Sequence, residues 1–259
     1  DGASVTTTVT YTVVNLPPVA VDDTDTVAED VASVGGNVIT DAATGDADTA
    51  PDSDPLVVAA AAQGTSPITL GVPFTTAGGG VLTLLADGSY SFAPGTAYNG
   101  LDVTETASEV ITYTVSDGNG GTDTATLVIT ITGANDAPVV IDPANPVNDP
   151  ASPLYDPANP APATDPSNII AAVATTDGAT PAPVNVGAAI VDPDGEPLTF
   201  SATGLPPGMA IDPATGVITG TLPADASQAG PYTVVVTATD PDGASVTTTV
   251  TYTVVNLPP

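Results

Sequence analysis

Acidic side chains are concentrated in a few short turn sequences, and these are the residues best suited to chemistry. Residues 191–197 read VDPDGEP and residues 240–243 read DPDG, so carboxylates recur at every second position. Oxygen atoms gathered from several loops are the ligands of Ca²⁺, which takes about six to eight of them. Counting the segment that leads into this half of the chain, the candidate ligands are Asn135, Asp136, Asp192, Asp194, Glu196, Asp240 and Asp242.

The first half of the chain repeats this pattern. Residues 46–55 read DADTAPDSDP, residues 116–123 read SDGNGGTD, and the entering segment holds Asn15 and two adjacent aspartates. An isolated DG or DPDG is typical of an ordinary turn, but the gathering of many acids in loops that should meet favours metal binding. The candidate ligands here are Asp22, Asp23, Asp46, Asp48, Asp52, Asp54, Asp117, Asn119 and Asp123.

No basic side chain is available to neutralise these carboxylates. The chain has 30 acidic residues, no Lys, Arg or His, and a formal net charge of −30. Self-repulsion of that charge opposes the compact state unless cations bind from solution. Mg²⁺ prefers to keep its waters and Zn²⁺ prefers His or Cys, so the composition favours several Ca²⁺ ions. It argues against nucleic acid and against direct membrane contact, because both bind through basic residues.

Strands must position these loops. Alternation of apolar and polar residues is clear in residues 4–14, 110–116, 125–132 and 232–238. These segments are rich in Val, Thr and Tyr and are separated by Gly, Asp, Asn and Pro. No window has helical periodicity, so the sequence predicts an all-β fold of two tandem antiparallel immunoglobulin-like or cadherin-like β-sandwiches. In such a sandwich two of the acidic loops lie at the same end as the entering segment.

An exact internal repeat defines the organisation. Residues 1–18, DGASVTTTVTYTVVNLPP, recur as residues 242–259, which indicates one period of a tandem array. A Pro-rich stretch that contains DPANP twice separates the two strand-rich regions. The predicted divisions are an orphan last strand of a preceding repeat at 1–18, a sandwich at 19–133, a linker or long loop at 134–167 and a second sandwich at 168–259.

Several motifs carry a family resemblance. Residues 111–132 (ITYTVSDGNGGTDTATLVITIT) and 134–138 (ANDAP) resemble the VCBS, or bacterial cadherin-like, repeat. Residues 192–202 (DPDGEPLTFSA) and 212–221 (DPATGVITGT) resemble the bacterial putative-Ig, cadherin-like repeat. Both families occur in giant secreted adhesins of the RTX type. The resemblance implies an extracellular, cell-surface location in bacteria, a role in adhesion and biofilm, and tandem sandwiches that Ca²⁺ rigidifies at the joints between domains.

The expected function is that of a non-enzymatic structural extender, which spaces a distal ligand-binding region from the cell surface. Its expected partners are neighbouring repeats of the same chain, and the fragment is expected to be monomeric. The alternatives are a glycan-binding or protein-binding adhesion module, or a subunit of a surface layer or filament. An enzyme is not expected, because without His, Lys, Arg or Cys only a pair of carboxylates could perform acid–base catalysis.

Overall fold

The computed structural model describes residues 2–12, 14–40, 47–141 and 170–256. The described residues form β-strands joined by turns and short 3₁₀ segments, which confirms the all-β prediction. The chain divides into two compact units, Asp1–Gly133 (unit 1) and Ala134–Pro259 (unit 2). Within the described residues, no helix has the length and apolar character needed to cross a membrane.

Unit 1 is a sandwich of two sheets. One has the strand order β1-β9-β8-β3-β4 and the other the order β2-β7-β6-β5. All pairings are antiparallel except that of β1 with β9. The strands are β1 Asp23–Ala28, β2 Val34–Asn37, β3 Val57–Gln63, β4 Ser66–Ile68, β5 Phe74–Thr75, β6 Val81–Leu84, β7 Ser89–Ala93, β8 Thr106–Ser116 and β9 Thr122–Thr132.

The β8–β9 hairpin supplies the centre of the unit 1 core. Its alternate residues Ile111, Tyr113, Val115, Leu127 and Ile129 are fully buried, as the alternation predicts. They pack with Leu82 and Phe92 of the facing sheet. Because burying each large apolar side chain contributes about 1.5–3 kcal/mol, this hairpin stabilises the unit and fixes the loop between its strands.

Unit 2 is built from a four-stranded sheet, β11-β18-β17-β14, a three-stranded sheet, β12-β16-β15, and the pair β10-β13. The pairing of β11 with β18 is parallel. The strands are β10 Val139–Val140, β11 Val173–Thr176, β12 Val184–Asn185, β13 Ile190–Val191, β14 Thr199–Thr203, β15 Met209–Ile211, β16 Val217–Gly220, β17 Tyr232–Thr239 and β18 Ser245–Val255.

Two segments concern the predicted divisions. Within the stretch predicted as a linker or long loop, 134–167, Val139–Val140 form β10, which pairs with β13, and residues 142–167 lie outside the described residues. Residues 1–18 are predicted as an orphan strand, and none of the described residues 2–12 belongs to a strand. A strand needs a neighbour that pairs with its backbone N–H and C=O groups, and sequence alternation alone does not supply one.

A buried carboxylate ties the second sheet of unit 1 to the first. Glu109 on β8 is 3% exposed and accepts hydrogen bonds from the Tyr98 hydroxyl (2.5 Å), the Gly78 amide (2.8 Å) and the Gln63 side chain. Burial raises the pKa of Glu109, but the hydrogen bonds from Tyr98 and its neighbours outweigh burial and hold this pKa below its ordinary value. The ionised carboxylate is therefore part of the folded core.

Replacing Glu109 with alanine is expected to lower the free energy of unfolding of unit 1 by about 2–4 kcal/mol, because the buried Tyr98 hydroxyl and two less buried donors, on Gly78 and Gln63, lose their acceptor. Since the folded-state pKa is depressed, the carboxylate's contribution is present above its ordinary pKa of 4.5 and is lost as the pH falls through the folded value. Urea denaturation with amide exchange in β8 and β9 measures both effects. Glu105→Ala, at an exposed position, is the control, and equal stability of the two variants contradicts this role.

Candidate metal centres

Unit 2 contains a group of three carboxylates. Asp192 and Glu196 lie in the loop between β13 and β14, and Asp240 directly follows β17. One carboxylate oxygen from each lies within 4.8 Å of the others. Asp192 is 9% exposed and Asp240 is 6% exposed. Because the sequence contains no Lys, Arg or His, no side chain can offset the charge of this group.

The turn chemistry of the two loops sets the positions of these aspartates. Asp192 Oδ1 accepts a hydrogen bond from the Asp194 amide at 3.0 Å. Asp240 Oδ1 accepts hydrogen bonds from the Gly243 and Ala244 amides at 2.6 and 2.8 Å. Gly243 has a φ of 96°, which glycine adopts without strain. The ordinary-turn interpretation and the ligand interpretation therefore apply to the same residues, because closing each turn uses only one of the two carboxylate oxygens of its aspartate.

The segment that enters unit 2 reaches the same place. Asn135 Nδ2 donates to Asp240 Oδ2 at 3.3 Å, and the Asp136 amide donates to Asp194 Oδ2 at 2.8 Å. The Asn135 Oδ1 atom is buried and has no hydrogen-bond donor. Of the seven residues predicted for this half, six are thus connected through hydrogen bonds or through the three-carboxylate group. Asp242 is exposed on its turn and lies outside that group of three.

The donor set suits calcium. Ca²⁺ accepts six to eight oxygen ligands in flexible geometry, whereas Mg²⁺ demands near-octahedral geometry and usually keeps several of its waters. The three carboxylates of unit 2 come from two loops and offer oxygen ligands alone. The buried side-chain Oδ1 atom of Asn135 is a further hard donor. A set of oxygen donors from several loops fits Ca²⁺ better than Mg²⁺, and it offers none of the nitrogen or sulfur ligands that Zn²⁺ prefers.

Most candidate ligands of unit 1 are occupied by hydrogen bonds within the protein. Asp117 accepts from the Asn15 side chain at 2.8 Å, and this bond is the main reason that the pKa of Asp117 lies below its ordinary value. The Asn119 side chain donates to Asp54 at 2.6 Å, and the Leu16 amide donates to Asp52 at 3.2 Å. These contacts join the entering segment to the two acidic loops without requiring an ion.

The adjacent residues Asp22 and Asp23 accept hydrogen bonds from side chains and backbone of the β8–β9 hairpin. Asp22 accepts hydrogen bonds from the amide and the hydroxyl of Thr126 on β9, at 2.8 and 2.9 Å. Asp23 is buried and accepts from the Tyr113 hydroxyl at 2.7 Å. Burial, followed by the hydrogen bond and the charge of Asp23, raises the pKa of Tyr113, so the hydroxyl remains a donor. These contacts tie the start of β1 to the β8–β9 hairpin.

Asp48 is the best cation candidate in unit 1. Its Oδ1 accepts from the Val21 amide at 2.8 Å, whereas its Oδ2 is buried and has no donor. Burial is the main cause that raises the pKa of Asp48 to about 6, and the charge of Asp123 adds to it. Among the described residues of unit 1, no three carboxylates lie as close together as those of unit 2. Asp46 lies outside the described residues.

Two buried acids of unit 1 were not among the predicted sites. Glu29, which follows β1, is 2% exposed, and Glu109 lies in β8. Both occupy inward positions of an alternating pattern, two residues after Val27 and two before Ile111. An acid at an inward strand position is the sequence signal that would have found them, because it marks a carboxylate that the fold must bury.

Two family models cover most of the chain. Residues 15–133 match the model described as "Bacterial cadherin-like domain", and residues 161–255 match the one described as "Putative Ig domain". The matched residues of unit 1 are thus similar to a bacterial cadherin-like domain, and those of unit 2 are similar to an Ig-like domain. None of the curated proteins matches the sequence.

Solved structures resemble the fold at low sequence identity. Human protocadherin-24 EC1-2 is 16% identical, with 95% of this chain and 100% of that chain covered and a TM-score of 0.50. Mouse cadherin-23 EC22-24 is 14% identical, with coverages of 94% and 68% and a TM-score of 0.49. An endo-fucoidan hydrolase of glycoside hydrolase family 107 is 18% identical, with coverages of 93% and 29% and a TM-score of 0.31. The chain spans between 29% and 51% of the length of this hydrolase, a sidekick-1 fragment and a protocadherin gamma B7 fragment.

Replacing Asp48 with asparagine is expected to stabilise unit 1 at neutral pH when calcium is chelated. Because the folded-state pKa is about 6 and the ordinary value is 3.8, the wild type loses stability as the pH rises through this window. The Asp48→Asn variant does not ionise at this position and avoids that loss, a gain of about 1–3 kcal/mol at neutral pH. With calcium present, the wild type should gain stability and the variant should gain less.

Urea denaturation at about pH 4 and about pH 7, each with chelator and with calcium, tests this prediction. Asp30→Asn, at an exposed position of the same unit, is the matched control. The stability difference between the chelated variant and the chelated wild type should grow in favour of the variant from about pH 4 to about pH 7, and a difference that stays the same contradicts the assignment of Asp48.

Proposed function

We propose that this chain is a non-enzymatic structural segment of a bacterial cell-surface adhesin, in which Ca²⁺ braces the two β-sandwich units. A cadherin-like domain and an Ig-like domain are structural or adhesion-type modules, and cadherin-like domains generally bind Ca²⁺. The observation that carries the proposal is the group of Asp192, Glu196 and Asp240, in a chain without a basic residue.

In unit 2 the residues that hold the ion are the three carboxylates, with the Asn135 carbonyl oxygen beside them. The bound ion supplies the positive charge that the sequence lacks, and so removes the repulsion among buried carboxylates. These ligands come from three separate stretches, namely the entering segment, the β13–β14 loop and the β17–β18 loop. The ion therefore acts as a clip that joins the start of the unit to its last hairpin.

This clip also limits the motion of the connection between units. Asn135 and Asp136 are the second and third residues of unit 2, which begins at Ala134. When calcium orders these two residues, little free chain remains between one sandwich and the next, so an array of such repeats becomes a stiff spacer. The exact recurrence of residues 1–18 as 242–259 supports the tandem array. A distal region of the full protein then carries the ligand-binding activity.

The same chemistry favours an extracellular location. Sites in extracellular modules bind Ca²⁺ with dissociation constants of about 10⁻⁴–10⁻³ M, which matches a site that fills outside the cell. Outside the cell calcium is abundant, so a charge of −30 becomes tolerable there. The neighbouring repeats of the same chain are the natural partners of each unit, and the resemblance to RTX-type adhesin repeats points to bacterial secretion.

Calcium is expected to stabilise unit 2 through these ligands. At a free concentration of about 100 times the dissociation constant, one site adds about 2.7 kcal/mol. Asp240→Asn should weaken calcium binding at least about tenfold and reduce this gain, whereas Asp225→Asn, at an exposed position of the same unit, should leave both unchanged. Calorimetric titration and thermal melts of the full chain measure these values, and identical titrations of the two variants contradict the assignment.

Calcium removal is also expected to loosen the chain. Small-angle X-ray scattering in chelator should show a broader distribution of interatomic distances than scattering in calcium. Asp240→Asn should behave in calcium as the wild type does in chelator, because it lacks the clip. A wild-type scattering profile and melting curve that are the same with and without calcium would contradict the spacer role.

A further inference from the structure

The turn that joins β8 to β9 contains a dipeptide with covalent chemistry of its own. Asn119 is followed by Gly120, and both residues are exposed. An asparagine loses its side-chain amide when the backbone nitrogen of the next residue attacks the side-chain carbonyl carbon. Glycine permits this approach best, because it has no Cβ to obstruct it. The sequence contains one other such dipeptide, Asn99 with Gly100.

The backbone around Asn119 leaves the attacking nitrogen free. The amides of Asn119 and Gly121, before and after Gly120, donate to Asp117 Oδ1 at 2.8 and 2.9 Å. No acceptor for the Gly120 amide is found in the part of the chain that the structure describes. A Cβ built on Gly120 would meet no atom within 4 Å, so the turn has room for the five-membered succinimide ring that the attack forms.

The other dipeptide lies in a turn that opposes this reaction. Asn99 follows a 3₁₀ helix and has a φ of −59° and a ψ of 2°. The Leu101 amide donates to the Tyr98 carbonyl at 3.0 Å, which closes the turn around Asn99 and Gly100. Ring closure requires rotation about the Asn99 ψ away from this near-helical value, so it would break the turn. The structure therefore distinguishes two dipeptides that are equivalent in the sequence.

We propose that Asn119 is a site of spontaneous covalent modification, with water as the only co-reactant. The Gly120 nitrogen forms a bond to the Asn119 Cγ atom, the Cγ–Nδ2 bond breaks, and ammonia leaves with the proton of the Gly120 amide. Water then opens the ring at either carbonyl group, which gives aspartate or isoaspartate. Either product adds one negative charge to the chain. This inference goes beyond the proposed function, since it requires no metal ion.

The reaction removes a contact between two loops of unit 1. Asn119 Nδ2 donates to Asp54 Oδ2 at 2.6 Å, which ties the hairpin turn to the loop that precedes β3. After the reaction a carboxylate faces Asp54 in place of a donor, and the sequence has no Lys, Arg or His to lie between them. Two like charges at this separation repel each other, so the modified unit 1 is less stable.

The same hydrogen bond delays the reaction. While Asp54 holds the Asn119 amide, the side chain cannot turn its carbonyl carbon toward the Gly120 nitrogen. Breaking the contact with Asp54 therefore precedes the attack, and the folded loop sets the rate.

Ageing of the full chain at mildly alkaline pH tests the site. Trypsin has no Lys or Arg to cut after, but chymotrypsin releases residues 114–127, with Asn119, and a Glu-specific protease releases residues 30–105, with Asn99. Mass spectrometry should show conversion of residues 114–127 while residues 30–105 remain unchanged, and an isoaspartate-specific methyltransferase should label the aged chain. Asn119→Gln, whose longer side chain needs a larger ring, is the control without reaction. Equal conversion of the two peptides, or none in residues 114–127, overturns the proposal.

The delay by Asp54 has its own matched pair. Asp54→Ala frees the Asn119 amide and should convert residues 114–127 faster than the wild type does. Asp52→Ala, at an exposed position of the same loop, should leave the rate unchanged. A rate in Asp54→Ala that equals the wild-type rate or falls below it overturns the delay.

The consequence for stability is measured by urea denaturation of Asn119→Asp, which reproduces one product. Its urea midpoint should lie below that of Thr106→Asp, which adds the same charge at the opposite, exposed end of the β8–β9 hairpin. Equal midpoints of the two variants overturn the effect of the Asp54 contact.

Discussion

The structure depends on one electrostatic constraint: 30 acidic residues and no basic residue share one chain. Each crowded carboxylate must therefore be met by hydrogen-bond donors, by a proton or by a cation from solution. The structure shows the first two. Donors surround Glu109 and Asp117. Burial favours a proton on Asp48, with a pKa of about 6. For Asp192 and the two carboxylates grouped with it, a cation is the compensation that we propose.

The sandwich architecture brings these groups together. In each unit the first long pairing is parallel, β1 with β9 and β11 with β18, while the last two strands of the unit form an antiparallel hairpin. In unit 1 the entering segment therefore reaches the hairpin loop, where Asn15 contacts Asp117. In unit 2 the pairing of β10 with β13 has the same result for Asn135 and Asp240. The entry of each unit is thus joined to its last hairpin loop through polar side chains.

The proximity of the acidic loops in unit 2 could be predicted from strand order, because loops at one end of a sandwich meet whatever their detailed contacts are. In unit 1 the hydrogen bonds that occupy the candidate ligands could not be predicted from strand order. Whether Asp54 faces an ion or the Asn119 amide depends on differences of an ångström in loop position, which turn residues do not encode. Glu29 and Glu109 escaped prediction for a different reason. They lie within or beside alternating strands. The alternation predicts that inward positions are apolar, and an acid at such a position departs from that pattern.

The sequence by itself determined the strand content, the inward faces of β8, β9 and β17, and the turns in which the acids lie. Periodicity and turn chemistry are local properties, and they hold wherever the segment is placed. Only the tertiary structure decided which alternating segment becomes a strand. Residues 245–255 lie between β11 and β17, whereas none of the described residues 2–12 lies in a strand, although residues 1–18 and 242–259 have the same sequence. Backbone hydrogen bonds and an apolar face contribute to stability only where neighbouring strands receive them, and a neighbour is not a property of the segment itself.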